Sequence, residues 1–190
     1  DVYEEIMGER AMPTYSFAST KLVVGIGSDF LTGVTGQSLE GAYASARKPG
    51  ASMMRHIQVE SNLSLTGSNA DTRIKVGASD QFAALVYLYN KVTGSSLPVS
   101  SIKEGSLKSL DNVAKELIAA KGNSLVLVGG NDANAERIAL ALNMALENIG
   151  KSIDLNNRVY LRRGNDKELY SLIDRMNAGS VGAIITSGLN

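Results

Sequence analysis

The chain has 190 residues, 44% of them hydrophobic, which favours a folded chain over a disordered one. Its 19 Lys+Arg balance its 19 Asp+Glu, so no basic surface for nucleic acid or anionic membranes is predicted, and no apolar run approaches the roughly 20 residues of a membrane-spanning helix. Cysteine is absent and His56 is the one histidine, which excludes disulfides, Cys-ligated iron–sulfur clusters, cysteine nucleophiles and multi-histidine metal sites within this sequence.

The first half of the chain alternates predicted strands and helices. Strands are predicted from continuous β-branched apolar runs, and helices from apolar residues at helical spacing that end at glycine. Ser38 and Ser79 are candidate helix N-caps. The predicted elements are a strand over 20–28, a helix over 38–48, strands over 56–60 and 72–76, and a helix over 80–94.

The second half repeats this alternation after a Ser-rich stretch at 95–101 that contains Pro98 and is the best linker candidate. Alternating strands and helices predict parallel sheets flanked by helices. We therefore expect an α/β fold of two Rossmann-like lobes, over residues 1–97 and 98–190, each with its own parallel sheet. The predicted elements are helices over 107–121, 134–149 and 166–177 and strands over 124–128, 158–161 and 181–186. The predicted core consists of apolar strand residues: Val23, Val24, Ile57, Val59, Leu125, Leu127, Ile184 and Ile185.

Glycines and an acid follow the first predicted strand. Gly25, Gly27 and Asp29 lie in the segment GIGSDF, which is similar to a dinucleotide fingerprint, where glycines let the backbone approach a pyrophosphate. The last position of that segment is Phe30, where the fingerprint has glycine or alanine for close helix packing. Two interpretations stay open: nicotinamide or flavin nucleotide binding, and a simple strand-ending turn.

The most informative stretch is 55–80, in which two strands flank a loop rich in Ser, Thr, Asn and Gly and a helix begins at its end. Strand ends and helix N-termini of this kind hold phosphorylated cofactors in α/β proteins. Glu60 and Ser61 end the first of these strands, where an acid can bind a ribose hydroxyl, whereas Asp80 can favour the helix N-terminus electrostatically. His56 is interpreted as a packed histidine, because no second His or Cys can join it as a ligand.

A second glycine turn, Gly129-Gly130, precedes the long helix predicted over 134–149. Backbone amides of this turn and of Asn131 are candidates to bind an anion. The alternative is a turn in which Asn131 or Asp132 caps the helix. No serine, histidine and acid combination predicts a nucleophilic triad, so we predict no catalytic residue and no metal ligand.

Several blocks of the chain resemble one subgroup of the molybdopterin oxidoreductase family. That subgroup is the large iron–sulfur subunit of bacterial alternative complex III, a quinol:electron-acceptor oxidoreductase whose members are described as Tat-variant-translocated. The resemblance covers nearly the whole chain. It is carried most specifically by SDFL after the first strand, by QVESNLSLTGSNADTRIKV, and by ALNMALENIGKS.

The resemblance implies a fold like the cofactor-binding domains of that family, whose cofactor is molybdopterin guanine dinucleotide. Asp80 matches the acid that reads the nucleotide base, and Glu60 stands at the start of a segment that reads Asp-Pro-Arg in the family. Gly27 begins a segment that reads Gly-x-Asn-Pro there, where this chain has Asp29 and Phe30. These departures fit the subgroup, for which the resemblance implies no molybdenum cofactor in this part and iron–sulfur clusters elsewhere in the longer protein.

Three hypotheses follow. The first is a non-catalytic scaffold of a respiratory complex, without a cofactor of its own. The second is part of the molybdopterin guanine dinucleotide site of an active molybdoenzyme, and the third is an independent nucleotide-binding domain. The resemblance implies other subunits of a membrane-bound complex as partners, at the periplasmic face of the bacterial inner membrane, with no nucleic acid and no direct membrane insertion. Both ends resemble cuts within a longer protein, so we expect a fragment of an oxidoreductase subunit.

Overall fold

The computed structural model describes residues 2–33, 37–50, 52–160 and 166–188, so the last residue of the strand predicted over 158–161 lies outside the described residues. Within these ranges the helices are α1 Val2–Met7, α2 Glu40–Ala46, α3 Leu65–Ser68, α4 Gln81–Thr93, α5 Glu104–Ala119, α6 Ala133–Ala145 and α7 Asp166–Asn177. The strands are β1 Met12–Tyr15, β2 Leu22–Ile26, β3 Arg55–Glu60, β4 Thr72–Lys75, β5 Ser124–Val128 and β6 Ile153–Val159.

Four parallel strands form the central sheet in the order β4-β3-β2-β5. The prediction of an α/β fold with a parallel sheet flanked by helices is confirmed. The structure differs from the expectation of a separate sheet on each side of Pro98, because β5 pairs directly with β2. The backbone N–H and C=O groups of the buried strand β5 need a neighbouring strand as their hydrogen-bond partner. β2 is that neighbour, and the two parallel strands pair from Leu22 opposite Ser124 to Ile26 opposite Val128.

Alternate residues of the strands pack into two apolar clusters, one on each face of the sheet. Val24 and Ile57 lie in the cluster formed with α4, α5 and α6, whereas Val23 and Leu125 lie in the other cluster with Phe17 and α2. Burial on both faces explains why β2 is a continuous apolar run. The predicted core residues Val23, Val24, Ile57, Val59, Leu125 and Leu127 are all buried.

A second, two-stranded sheet pairs β1 with β6 in antiparallel orientation. From the sequence, no strand is predicted within residues 1–19, and the strand near the end of the chain is predicted to begin at residue 158. In the structure β6 begins at Ile153, which is fully buried, and Tyr15 lies opposite it. β6 contains polar residues such as Asn156 and Asn157, so it has no continuous apolar run from which a strand would be predicted.

The outer edge of β5 is closed by side-chain amides rather than by another strand. Asn143 of α6 donates to the carbonyl of Val126 (2.8 Å) and accepts from its N–H (3.0 Å). The Asn148 carboxamide oxygen accepts from the Ser124 N–H (3.4 Å) and from the Ser124 hydroxyl (3.2 Å). These amides satisfy backbone groups that an edge strand would otherwise expose, so the sheet ends at β5.

The predicted helix ends hold only in part. Helix α2 begins at Glu40, and Ser38 donates its hydroxyl to the Glu40 carboxylate (2.9 Å) rather than capping the backbone. Asp80, not Ser79, occupies the N-cap position of α4 and makes no side-chain cap there. Gly94 ends α4 with a φ of 73°, a left-handed conformation that favours glycine.

The C-terminal part, 166–188, differs most from prediction. Helix α7 has the predicted bounds, but residues 181–188 form no strand. Ile184 and Ile185, predicted as core residues, are 44% and 98% exposed, so that prediction is wrong. A β-prone segment becomes a strand only where a neighbour supplies hydrogen bonds, and the described residues offer it none. Within the described ranges, no helix is both long and apolar enough to cross a membrane.

Candidate functional site

A crevice of about 530 Å³ opens at the carboxyl ends of β2 and β5. From β2 the chain continues to β3 and β4 on one side of the sheet, and it later returns to place β5 on the other side of β2. The direction in which strands are added to the sheet therefore reverses between β2 and β5. Ligands of open α/β sheets bind at such a switch point. The crevice is lined by the turns after β2 and β5 together with Val2, Tyr3, Met12, Ala133 and Glu136.

Glycines bring the two turns together. A Cβ on Gly129 would lie 1.9 Å from the carbonyl oxygen of Gly27, so the backbones are in direct contact. Gly27 and Gly130 have φ of 59° and 94°, in the region that favours glycine. These glycines therefore fix the walls of the crevice. From the sequence, Gly27 belongs to the candidate nucleotide-binding segment, and Gly129 and Gly130 to the candidate anion-binding turn.

The N-terminus of α6 borders the crevice and is capped by its own chain. One carboxylate oxygen of Asp132 accepts from the N–H groups of Asn134 (2.8 Å) and Ala135 (3.4 Å). The segment is thus a turn that caps the helix, as one of the two interpretations of the sequence has it, and the cap is Asp132 rather than Asn131. A bound anion would have to displace this carboxylate or approach it closely.

The side chains of Ser28 and Glu136 also line the crevice and have no hydrogen-bond partner among the described residues, and neither residue is a candidate from the sequence. Ser28 is 95% buried, and its hydroxyl makes no bond, although its backbone carbonyl accepts from Gln58 (2.9 Å). Glu136, partly buried in the first turn of α6, has its pKa raised to about 7 by burial. The signal for Glu136 was its position one turn into the helix that follows the Gly129-Gly130 turn.

Tyr3 and Tyr15 lie behind Glu136, with their hydroxyl oxygens 3.5 Å apart. Burial, and secondarily the nearby charge of Glu136, raise the pKa of Tyr3 to about 12, so its hydroxyl stays protonated. A small inner cavity of about 30 Å³ continues from the crevice past both tyrosines to Asn143. The inner end of the crevice is thus lined by neutral hydroxyls and one titratable carboxyl.

The charged side chains that line the crevice are all acidic. Asp29, Asp132 and Glu136 contribute carboxyl groups, and no Lys or Arg belongs to the lining among the residues that the structure describes. The potential inside the crevice is therefore set by carboxylates, which repel phosphate groups and attract cations.

The end of β3 is arranged differently, because Glu60 is buried and surrounded by donors. Its carboxylate accepts from the Ser64 hydroxyl (2.6 Å) and from Arg73 Nε (2.6 Å). Gln58 adds a longer bond of 3.4 Å. Burial alone would raise the pKa of Glu60, but the bonds from Ser64 and Arg73 outweigh it and lower the pKa below its usual value. Glu60 thus binds the chain's own loop rather than facing open space.

Other predicted site residues also contact the chain itself. Asp29 accepts from the N–H of Thr66 (2.9 Å) and so holds the short helix α3 against the end of β2. A Cβ on Gly25 would lie 2.1 Å from the Gln58 side chain, so this glycine makes room for that amide. The Ser61 hydroxyl accepts from Gln81 (3.3 Å).

Asp80 lies outside the crevice, and its carboxylate accepts from the neighbouring Ser79 hydroxyl (3.1 Å). The fold therefore divides the predicted cofactor-binding residues into two groups. The residues that line the crevice are Gly27, Asp29, Gly129, Gly130 and Asn131, and those that do not are Gly25, Glu60, Ser61 and Asp80.

His56 is a packed histidine in a buried polar row along one face of β3. Gln58 donates both amide hydrogens, to the Ser28 carbonyl and to Glu60, so its oxygen must accept from His56 Nε2 (3.3 Å). The Tyr43 hydroxyl then lies 2.8 Å from the acceptor His56 Nδ1 and 3.1 Å from the Asn69 carbonyl oxygen, so its one hydrogen is shared between them. Burial lowers the pKa of His56, which favours this neutral form.

No protein-family model matches the chain, and no curated protein matches it. The relationship to molybdopterin oxidoreductases therefore stays a prediction from the sequence blocks quoted above. The chemistry of the site rests on the geometry of the crevice and of the closed end of β3.

Proposed function

We propose that this chain is a non-catalytic, molybdopterin-oxidoreductase-like part of a subunit of a respiratory quinol:electron-acceptor oxidoreductase, and that it acts as a structural scaffold. The sequence blocks described above supply the family, and the Rossmann-like strand order is compatible with it. The proposal concerns the part of the subunit described here, and redox chemistry belongs to other parts of the longer protein.

The observation that carries the non-catalytic assignment is that the crevice presents carboxylates where a pyrophosphate would lie. Asp29 and Asp132 replace the neutral or cationic groups that bind phosphates in α/β folds. Unlike charges attract and like charges repel most strongly where water is partly excluded, so an anionic cofactor would bind poorly here.

The acid that could bind a ribose supports the same conclusion. Glu60 would have to give up its bonds to Ser64 and Arg73 to contact a ligand, and exchanging charge-assisted bonds of this kind gains little free energy. These bonds instead fix the loop between β3 and β4, as a rigid structural element requires.

The alternative is that the chain forms part of a molybdopterin guanine dinucleotide site. It is favoured by the position of the crevice at the switch point and by its glycine walls at Gly27 and Gly129. Asp80 would then contact the guanine base, as the family resemblance implies, with the remainder of the cofactor cleft supplied by the longer protein.

Calorimetry with guanosine diphosphate on the full-length subunit distinguishes these functions. The scaffold proposal predicts no binding at micromolar concentrations, and it predicts a purified subunit without stoichiometric molybdenum. Micromolar binding that is lost in Asp80→Ala but kept in the control Asp174→Ala, which changes an exposed acid on α7, would replace the scaffold proposal with the molybdoenzyme one. Binding that both variants keep would favour a nucleotide-binding domain of another kind.

A further inference from the structure

We propose that the crevice between β2 and β5 is a binding site for a guanidinium or ammonium group, held by the Glu136 carboxylate and the buried Ser28 hydroxyl. This inference goes beyond the scaffold function and does not depend on the respiratory assignment. It requires only the shape of the crevice and the chemistry of its lining.

The unused hydrogen-bonding capacity of Ser28 points to a ligand. Its side chain is 95% buried at the crevice wall, yet its hydroxyl has no partner among the described residues. Buried polar groups in folded proteins are nearly always hydrogen-bonded, because an unsatisfied one costs about 1–3 kcal/mol. A ligand atom in the crevice would satisfy this hydroxyl.

The charged groups that line the crevice are all carboxylates, which determines the class of ligand. The Glu136 carboxylate makes no hydrogen bond in the described part of the chain, and one carboxylate oxygen of Asp132 is free of the helix cap. Asp29 likewise uses one oxygen for the N–H of Thr66. A group with several N–H donors and a positive charge complements this set, whereas phosphate would add acceptors and negative charge.

The apolar lining supports a cation carried on an aliphatic chain. Val2, Met12 and Val128 line the same crevice as Glu136. Lys and Arg side chains, and alkyl amines, pack their methylene groups on apolar surface while the charged end contacts polar groups. The volume of about 530 Å³ lies within the range of ligand pockets and is sufficient for such a side chain.

The test is a titration of the chain with butylguanidinium and with butylurea, its uncharged analogue, followed by NMR and calorimetry. Only the cation should bind. Because the pKa of Glu136 is raised to about 7, the ionised fraction rises about tenfold between about pH 6 and pH 8, and the affinity for the cation should rise with it. Inorganic phosphate, used as the anionic probe, should not bind.

Variants assign the site. Glu136→Gln should lower the affinity for butylguanidinium at least about tenfold and remove its pH dependence, while Ser28→Ala lowers the affinity several-fold. Glu104→Gln, which changes an exposed acid in the first turn of α5, is the matched control and should bind as the unchanged chain does. Thermal unfolding of each variant verifies that it is folded.

A short peptide, acetyl-Gly-Arg-Gly-amide, distinguishes the two sources of such a group. Binding of both the peptide and butylguanidinium assigns the crevice to a basic side chain of a polypeptide partner. Binding of butylguanidinium alone assigns it to a free small cation. Equal binding of butylguanidinium and butylurea, binding that Glu136→Gln leaves unchanged, or no binding of any cation would overturn the proposal.

Discussion

The ends of β3 and of β2–β5 lie on the same edge of one sheet, yet they use their acidic residues in opposite ways. At the end of β3, Glu60 is buried and accepts bonds from Ser64 and Arg73. In the crevice, Glu136 is partly buried and its carboxylate has no hydrogen-bond partner in the described part of the chain. Opposite shifts of their pKa values follow, downward for Glu60 and upward for Glu136.

This difference teaches that an acid at a strand end identifies a binding site only when its hydrogen bonds are not already formed within the protein. Glu60 has the sequence position of a ribose-binding acid, but its donors come from the loop that follows it. Glu136 has an ordinary position within a helix, and its environment alone makes it a candidate ligand.

The largest loss of stability is expected when a side chain is introduced at the contact between the two crevice walls. Gly129→Ala places a Cβ 1.9 Å from the Gly27 carbonyl oxygen, and backbone atoms cannot move as a flexible side chain can. We expect a loss of at least about 3 kcal/mol in the free energy of unfolding, measured by urea denaturation. Gly130→Ala is the control: it meets no atom within 4 Å and should cost about 1 kcal/mol through its positive φ. Equal losses would show that the walls are not in contact.

The next effect concerns the closed end of β3. Glu60→Ala leaves the Arg73 guanidinium and the Ser64 hydroxyl without their acceptor, and we expect a loss of about 3 kcal/mol in unfolding free energy. Glu60→Gln keeps an oxygen acceptor but not the charge and should lose less. Glu104→Ala on the surface serves as the control. A loss below about 1 kcal/mol in Glu60→Ala would mean that this end is not closed.

The two acids should give the stability opposite dependences on pH. Because the folded-state pKa of Glu136 is about 7 and its usual value is 4.5, its contribution is complete below about pH 4.5 and is lost as pH rises through about 7. Glu60, with a lowered pKa, contributes stability above its usual pKa that is lost on acidification below it.

The free energy of unfolding of the unchanged chain should therefore fall by roughly 1–3 kcal/mol between about pH 5 and pH 8 because of Glu136. In Glu136→Gln this fall should be absent. Urea denaturation at both pH values measures this difference, with Glu104→Gln as the control. Parallel pH profiles for the unchanged chain and Glu136→Gln would contradict the raised pKa.

The smallest effect compares two serines. Ser64→Ala removes a hydroxyl that donates to Glu60 and accepts from the Gly67 N–H (2.8 Å), so it should cost about 1–2 kcal/mol. Ser28→Ala removes a buried hydroxyl without a partner in the described residues, so it should not lower the unfolding free energy and can raise it by up to about 1–3 kcal/mol. A larger loss for Ser28 than for Ser64 would reverse the distinction between the closed and open ends.

The sequence by itself determined the local elements. Continuous apolar runs identified β2 and β5, and helical spacing with a terminal glycine identified α4 and its end at Gly94. These signals are local because backbone conformation and the burial of one face are encoded in neighbouring residues. The same local signals placed Gly27 and Gly129 at strand ends, where they line the crevice.

Only the tertiary structure decided which strands are neighbours and which polar groups are already bonded. The pairing of β5 with β2 across Pro98, and of β1 with β6, joins residues far apart in the chain. Residues 181–188 have strand-forming side chains but no partner strand in the part of the chain that the structure describes, so Ile185 is exposed. Hydrogen bonds and burial depend on residues that are distant in the chain, so the sequence pointed to Glu60, whose carboxylate is bonded within the protein, and not to Glu136, whose carboxylate has no bond among the described residues.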